Sequence, residues 1–277
     1  MIDLTKNVGF PFQFDVETWD FSYQSDFFKL VHSRVYTIKD SSLKKYYLNP
    51  VTVLISKIFG SYWFVGHAGI WGDMPVRLKF MVLNRDYVGV ETIKTKTVFV
   101  EDKPRLIDVV YGQVKVIMFP PDLKIRALGN QENTDVIVCD LQTMDKLLIP
   151  AGYVYTIINS DPKDVAVVLE IHHKDHKNHV LYTQGRGAPF YYVLRNTSHE
   201  IVKNPQYRFI NKYATLGQGR NKILKKYNVS PKTPILKQLS RKSTKFVDML
   251  DSMQSETLAE LIYNNLDDIV QFSHPNF

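Results

Sequence analysis

The chain has 277 residues, 44% of them hydrophobic and 13% aromatic, and a net charge of +7. Such a composition excludes an intrinsically disordered chain, and the length suits one large β domain or a domain of about 200 residues with an appendage. One cysteine, Cys139, excludes an internal disulfide; no charged segment followed by an apolar one opens the chain, and no apolar run approaches the roughly 20 residues that cross a bilayer, so the expectation is a soluble protein of the cytoplasm or another intracellular space.

In chain order, short apolar or alternating runs bounded by turn residues predict strands at 51–59, 77–83, 97–100, 108–119, 135–141, 147–149, 153–158, 165–171 and 191–194. Closely spaced strands with no helical pattern between them predict an all-β antiparallel jelly-roll barrel. A doubly wound parallel sheet is excluded, because each of its crossovers takes about a dozen residues, usually a helix. The polar stretch 122–134, with Gly129-Asn130 as its turn signal, predicts a long hairpin loop.

After residue 207 the pattern changes, which divides the chain into a β domain, 1–207, and a basic linker with a helical extension, 208–277. Residues 208–247 carry eleven Lys or Arg and no acid, which leaves the rest of the chain at −4 against the total of +7. A short helical pattern covers 244–253. Ser255 then reads as an N-cap, with Leu258, Leu261, Ile262, Leu266, Ile269 and Val270 on one face of a helix that runs to 270. That stripe reads as a helix laid on its own barrel in preference to one that binds a partner.

The basic block has two readings. Arg220, Lys222, Lys225, Lys226, Arg241 and Lys242 can contact nucleic-acid phosphates while Tyr207, Phe209, Tyr213 and Tyr227 stack on bases, with Gly217-Gln-Gly219 as a flexible turn. The other reading is a solvated linker that offsets an acidic barrel. Gly185-Arg-Gly187 and Gly217-Gln-Gly219 are not dinucleotide fingerprints, since neither joins a strand to a helix within a βαβ unit.

Histidines cluster at His172, His173, His176 and His179. On a helix or loop, His172 and His176 could share a metal with Asp175. The reading taken is a solvated loop after a strand, because metal ligands need hydrogen-bonded support that short polar loops rarely supply. Cys139, within the apolar run 136–139, reads as a small buried hydrophobe.

Several segments carry a family likeness in order and spacing. Phe12-Gln-Phe-Asp-Val-Glu-Thr is followed by Val82-Leu83, Gly89 and Glu91, then Thr95-Lys96, then Asp108 to Gly112, Ile149-Pro150 and Thr156-Ile-Ile-Asn159. Tyr191-Tyr-Val and Glu200 to Asn204-Pro205 close the series. Over roughly 10–207 the chain resembles the archaeal cupin-type glucose-6-phosphate isomerases. Their metal-binding segment T-K-G-H-x-H stands here as Thr95-Lys-Thr-Val-Phe-Val100, so both histidine positions are valines, Val98 and Val100. The family's glutamate ligand falls at or near Arg105, beside Glu101 and Asp102, and its third histidine falls at Tyr155.

The resemblance implies a cupin barrel that has lost its metal site, with no cofactor and no catalytic residue in the family's sense. The expected role is a non-catalytic binding or structural subunit of a larger assembly, such as a nucleoprotein or a virion, which meets its protein or nucleic-acid partner through the basic segment. The alternative implied by the same likeness is a phosphosugar binder or isomerase of glucose 6-phosphate and fructose 6-phosphate, with Thr95, Lys96 and Tyr155 at the ligand. Family members are commonly dimers, which implies a homodimer here. Deletion of 208–277 should leave a folded barrel, provided that the Leu258 helix does not pack on it.

Overall fold

The computed structural model describes residues 1–15, 21–24, 30–36, 61–68, 76–83, 85, 87–88, 91–95, 97–121, 135–161, 163–173, 187–207, 210–239, 250 and 252–272. The expected strand at 51–59, the loop at 122–134, Lys96, His176, His179, Phe209, Arg241, Lys242 and most of the helical pattern at 244–253 lie outside them.

The amino-terminal part contains β1 (Ile2–Asp3), α1 (Thr5–Val8), β2 (Phe12–Phe14), β3 (Phe21–Tyr23), β4 (Leu30–Tyr36), β5 (Ser61–Ala68), β6 (Val76–Leu83), β7 (Tyr87–Val88), β8 (Glu91–Thr92) and β9 (Val98–Phe99). The middle contains β10 (Arg105–Tyr111), β11 (Gln113–Phe119), β12 (Ile137–Gln142), β13 (Lys146–Ile149), β14 (Val154–Asn159), β15 (Ala166–His173), β16 (Phe190–Arg195) and β17 (Ser198–Lys203). The carboxy-terminal part contains β18 (Lys212–Thr215), α2 (Gly219–Lys226), α3 (Ser255–Tyr263) and β19 (Ile269–Gln271).

Two six-stranded sheets dominate, in the orders β13-β10-β15-β6-β5-β4 and β19-β18-β12-β11-β14-β9. A three-stranded sheet, β1-β2-β3, and a four-stranded sheet, β17-β16-β8-β7, complete the β structure. The chain is therefore mostly β-sheet. The barrel expected from the sequence is not closed: among the described residues each sheet has two open edges. The run 108–119 is two strands, not one, because Gly112 turns the chain with φ of 81°. A Cβ there would stand 2.6 Å from the Val165 carbonyl oxygen, so only glycine fits.

The sheet built around β10 and β15 is buried on both faces: β15 is buried along its whole length and β10 along all but its last residue. Strands covered on both sides read as continuous apolar runs instead of alternating ones, and 165–171 is such a run. On one face lies the other large sheet. On the other lie α1 and the carboxy-terminal extension, whose Ile223, Leu224, Ile235, Leu236, Leu258 and Ile262 join the same core as Leu106, Val109 and Leu169. A second apolar cluster, with Ile117, Phe119, Val154 and Ile158 against Phe190, Tyr207 and Ile210, fills the space between the β11/β14 sheet and β16.

The extension thus continues the fold past residue 207. β18 pairs in parallel with β12, through Ile137 to Ala214, and β19 pairs antiparallel with β18. The helix expected from 255 to 270 stops at Tyr263, and Ile269–Gln271 is a strand. Ser255 is the first helical residue and not the cap, which is Gln254. The backbone explains the early stop: Asp267 N–H donates to Thr215 O at 2.9 Å and draws the chain away as an edge strand. Gly217-Gln-Gly219 is a close approach and not a flexible turn, since a Cβ on Gly219 would lie 2.1 Å from Asn265 O.

Candidate functional site

Of the positions that the resemblance sets against metal ligands, Val98, Arg105 and Tyr155 lie close together. Val98 stands directly opposite Tyr155 in the β9–β14 pairing, and both are buried, at 3% and 1% exposure. Val100 is wholly buried in the core. On the facing sheet, Glu170 of β15 is opposite Lys79 of β6 and Ile107 of β10. Strand alternation puts Arg105, two residues before Ile107, on the same inward face.

The polar atoms of this group bond to one another. Arg105 Nη1 donates to Tyr155 Oη and to Glu170 Oε1, both at 2.9 Å. The Tyr155 hydroxyl donates to Glu170 Oε2 at 2.7 Å, which closes a three-residue ring across the two sheets. Lys79 Nζ lies 3.5 Å from the same Oε2. Arg105 and Glu170 are both 0% exposed.

Burial pushes the Tyr155 phenol far above its ordinary range, and the Glu170 carboxylate adds to that shift. The Lys79 ammonium is lowered, first by burial, with Arg105 adding to the fall and Glu170 opposing it. At Arg105 burial opposes the charge, but Tyr155 and Glu170 together raise its pKa above the ordinary value. The phenol therefore stays neutral and the guanidinium stays charged. In chemical terms the group is a two-sheet brace. A divalent cation needs neutral nitrogen or anionic oxygen donors, and a guanidinium and two valines offer neither, so these residues do not fit the family's metal.

Other expected site residues fall differently. Thr95 is 3% exposed, and its hydroxyl accepts the Ile157 N–H at 2.9 Å inside the β region. His172 is not in a loop or helix: it lies on β15, opposite Arg77, is 4% exposed, and has Nδ1 3.2 Å from His173 O. The strand continues through His173 because β6 pairs with it to that point. Among the described residues no group of three or more His, Cys, Asp or Glu has the arrangement of a metal site.

Arg220 is an internal tie and not a surface contact. At 8% exposure, its Nη2 bonds Asp145 Oδ2 at 2.6 Å and its Nη1 donates to Gly217 O at 2.9 Å. Lys222, Lys225 and Lys226 are exposed on α2. Of the aromatic residues expected to stack on bases, Tyr207 is 4% exposed and donates to Gly187 O, and Tyr213 and Tyr227 are half-buried against the two apolar clusters. A groove of about 310 Å³ beside Arg220 is lined by Lys115, Asp140, Gln142, Asp145 and Tyr192, with its charges already paired as Lys115–Asp140 and Arg220–Asp145.

A second ion pair escaped the sequence reading. On the outward face of the same sheet, Lys146 Nζ lies 3.5 Å from Asp108 Oδ1, with exposures of 0% and 3% for the two side chains. The extension completes it: Ile235 N–H donates to Asp108 Oδ2 at 3.3 Å and Lys146 donates to Pro231 O at 3.3 Å. The available signal for Asp108 and Glu170 is a lone charge inside an apolar run, 106–110 and 165–171, whereas Lys146 beside Asp145 and Arg105 after Lys103 carry no such signal.

The Asp108 carboxyl is pushed up to about 6, mainly by burial and against the pull of Lys146. An acid whose pKa is higher in the folded state stabilises the fold while protonated; the contribution is present below about pH 4 and lost as pH rises through about 6. Between pH 4.5 and 7 the stability of the wild type relative to Asp108→Asn should therefore fall by roughly 2 kcal/mol. Urea unfolding of both proteins at the two pH values measures this, and a difference that stays constant or rises would contradict it.

No protein-family model matches the chain, and no curated protein matches it. Solved structures do. The Drosophila melanogaster CENP-C cupin domain is 16% identical, with 39% of this chain and 67% of that one covered and a TM-score of 0.28. A cupin 2 conserved barrel domain protein from Rhodopseudomonas palustris is 9% identical, with 44% and 66% covered and a TM-score of 0.31. Bacillus subtilis oxalate decarboxylase is 10% identical, with 44% and 28% covered and a TM-score of 0.33. The chain spans less than two thirds of the latter two. Cupin proteins recur, nothing among them points to glucose-6-phosphate isomerases in particular, and likeness at this level carries no inference about activity.

No helix among the described residues is long and apolar enough to cross a membrane.

Proposed function

We propose that this chain is a non-catalytic, cupin-like binding or structural subunit of a larger assembly, related to the isomerase-type cupins but built without their metal chemistry. The observation that supports this reading is the closed Arg105–Tyr155–Glu170 ring. In a metal-dependent isomerase the cation stabilises an oxyanion that develops on the substrate, a contribution of several kcal/mol. Here the corresponding space is crossed by side chains that bond to one another through Arg105 Nη1, the Tyr155 hydroxyl and both Glu170 oxygens. Thr95, a residue of the phosphosugar alternative, also spends its hydroxyl on the backbone.

The purified full-length chain is expected to interconvert fructose 6-phosphate and glucose 6-phosphate no faster than buffer, with or without added iron, manganese, nickel or zinc. Elemental analysis after dialysis should find well under one such metal per chain. Stoichiometric metal together with turnover, both abolished in Glu170→Gln, would replace this reading with the isomerase one.

A further inference from the structure

We infer that the outer face of α2 and the turn that follows it hold the phosphate backbone of a nucleic-acid duplex. This deepens the proposed role as a binding subunit and rests on it. Lys222, Lys225, Lys226 and Lys232 are exposed, and none has an ion-pair or hydrogen-bond partner among the described residues. Two carboxylates of this region are engaged elsewhere, Asp145 with Arg220 and Asp267 with the Gly217 N–H, and the exposed Glu256, Glu260 and Asp268 make no ion pair with these lysines. The charges stand on a fixed element, because the opposite side of α2 carries Ile223 and Leu224, 3% and 0% exposed, into the core. Positive side chains in the last turn, Lys225 and Lys226, also offset the helix dipole. Lys222 and Lys232 have no such role.

The chemistry of the face selects among polyanions. A membrane-bound amphipathic helix turns its apolar side to the lipid, whereas the apolar side of α2 is spent on the core. Protein interfaces enrich Arg, Tyr and Trp and deplete Lys, and in this block Arg220 is buried against Asp145 while Tyr213 and Tyr227 are half-buried. Lysine is a point charge suited to phosphate without base reading. Single strands are held by exposed aromatic rings on which bases stack, whereas Tyr207 is buried and Tyr213 and Tyr227 are half-buried against the apolar clusters. What remains is a rigid row of ammonium groups, with Lys222 and Lys226 about 6 Å apart along the helix at about 1.5 Å per residue. Such a row matches a duplex backbone.

The test is fluorescence anisotropy of the full-length chain with a labelled mixed-sequence DNA duplex of about 20 base pairs at 50 and 200 mM salt. Four phosphate contacts imply a log–log slope near −3.6, hence a roughly 150-fold loss of affinity between the two salt concentrations. The triple variant Lys222→Glu, Lys225→Glu, Lys226→Glu should bind at least about tenfold more weakly at 50 mM and show a flatter slope, with a melting temperature within about 5 °C of wild type, since these side chains lose only the offset that Lys225 and Lys226 give the helix dipole. Duplex binding equal in variant and wild type overturns the inference. So does tighter binding to the matching single strand, or preferential binding to phosphatidylserine vesicles. If duplex binding is absent while metal content and turnover are also nil, the inference fails and the scaffold reading stands; turnover with bound metal removes the reading itself.

Discussion

Removal of residues 208–277 is expected to leave a chain that does not fold. Ile223, Leu224, Ile235, Leu236, Leu258 and Ile262 are each no more than 3% exposed and belong to the core shared with β10 and β15. A fully buried side chain of this kind is worth roughly 1.5–3 kcal/mol, so these six alone stand for on the order of 10 kcal/mol, comparable with the whole stability of a typical domain. The truncation would also bare the Asp108–Lys146 pair, which takes Ile235 N–H and Pro231 O from the extension. The independent barrel expected from the sequence depended on a Leu258 helix that stays off the β region, and Leu258 is 0% exposed. Expression of 1–207 should give insoluble or protease-sensitive material with little near-ultraviolet circular dichroism. A soluble truncation with a cooperative melting transition would mean that the extension merely rests on the sheet.

Glu170→Ala is expected to cost about 3–5 kcal/mol, the range for breaking a buried ion pair by removing one partner. It leaves Arg105 and Lys79 as two interior cations and deprives the Tyr155 hydroxyl of its acceptor. For a chain of this size that is a drop in melting temperature of roughly 10 °C. Replacing the whole group together, with Lys79→Met, Arg105→Leu, Tyr155→Phe and Glu170→Leu, should recover most of the loss, because apolar side chains of similar volume need no compensation. Differential scanning calorimetry of wild type, single and quadruple variants decides the matter. A single variant within about 1 kcal/mol of wild type would show that water reaches the cluster and shares its charges.

Sequence alone determined the local features. Runs at 77–83, 135–141, 147–149, 153–158, 165–171 and 191–194 coincide with β6, β12, β13, β14, β15 and β16 to within two residues at either end, because apolar and β-branched side chains favour the pleated, buried surface. β17, with the sequence SHEIVK, was not legible from its own pattern, because its residues are half-exposed and mostly polar; its place is set by pairing with β16. Positions 98, 100, 105 and 155 were singled out through a resemblance and not through any local pattern.

What those positions do was decided by tertiary structure. Arg105 and Tyr155 are 50 residues apart and Glu170 is 65 from Arg105, and nothing in local composition says that strand register brings their polar atoms within hydrogen-bond reach. The same holds for the extension. Its eleven basic residues suggested a solvated, partner-facing segment, yet Ile223, Leu224, Ile235, Leu236 and Leu239 between them, and Arg220 itself, are buried. Net charge describes a segment as a whole, whereas a helix sorts its residues by face. Which face is buried depends on the neighbour that folding supplies, here a sheet whose continuous apolar strands needed cover on both sides.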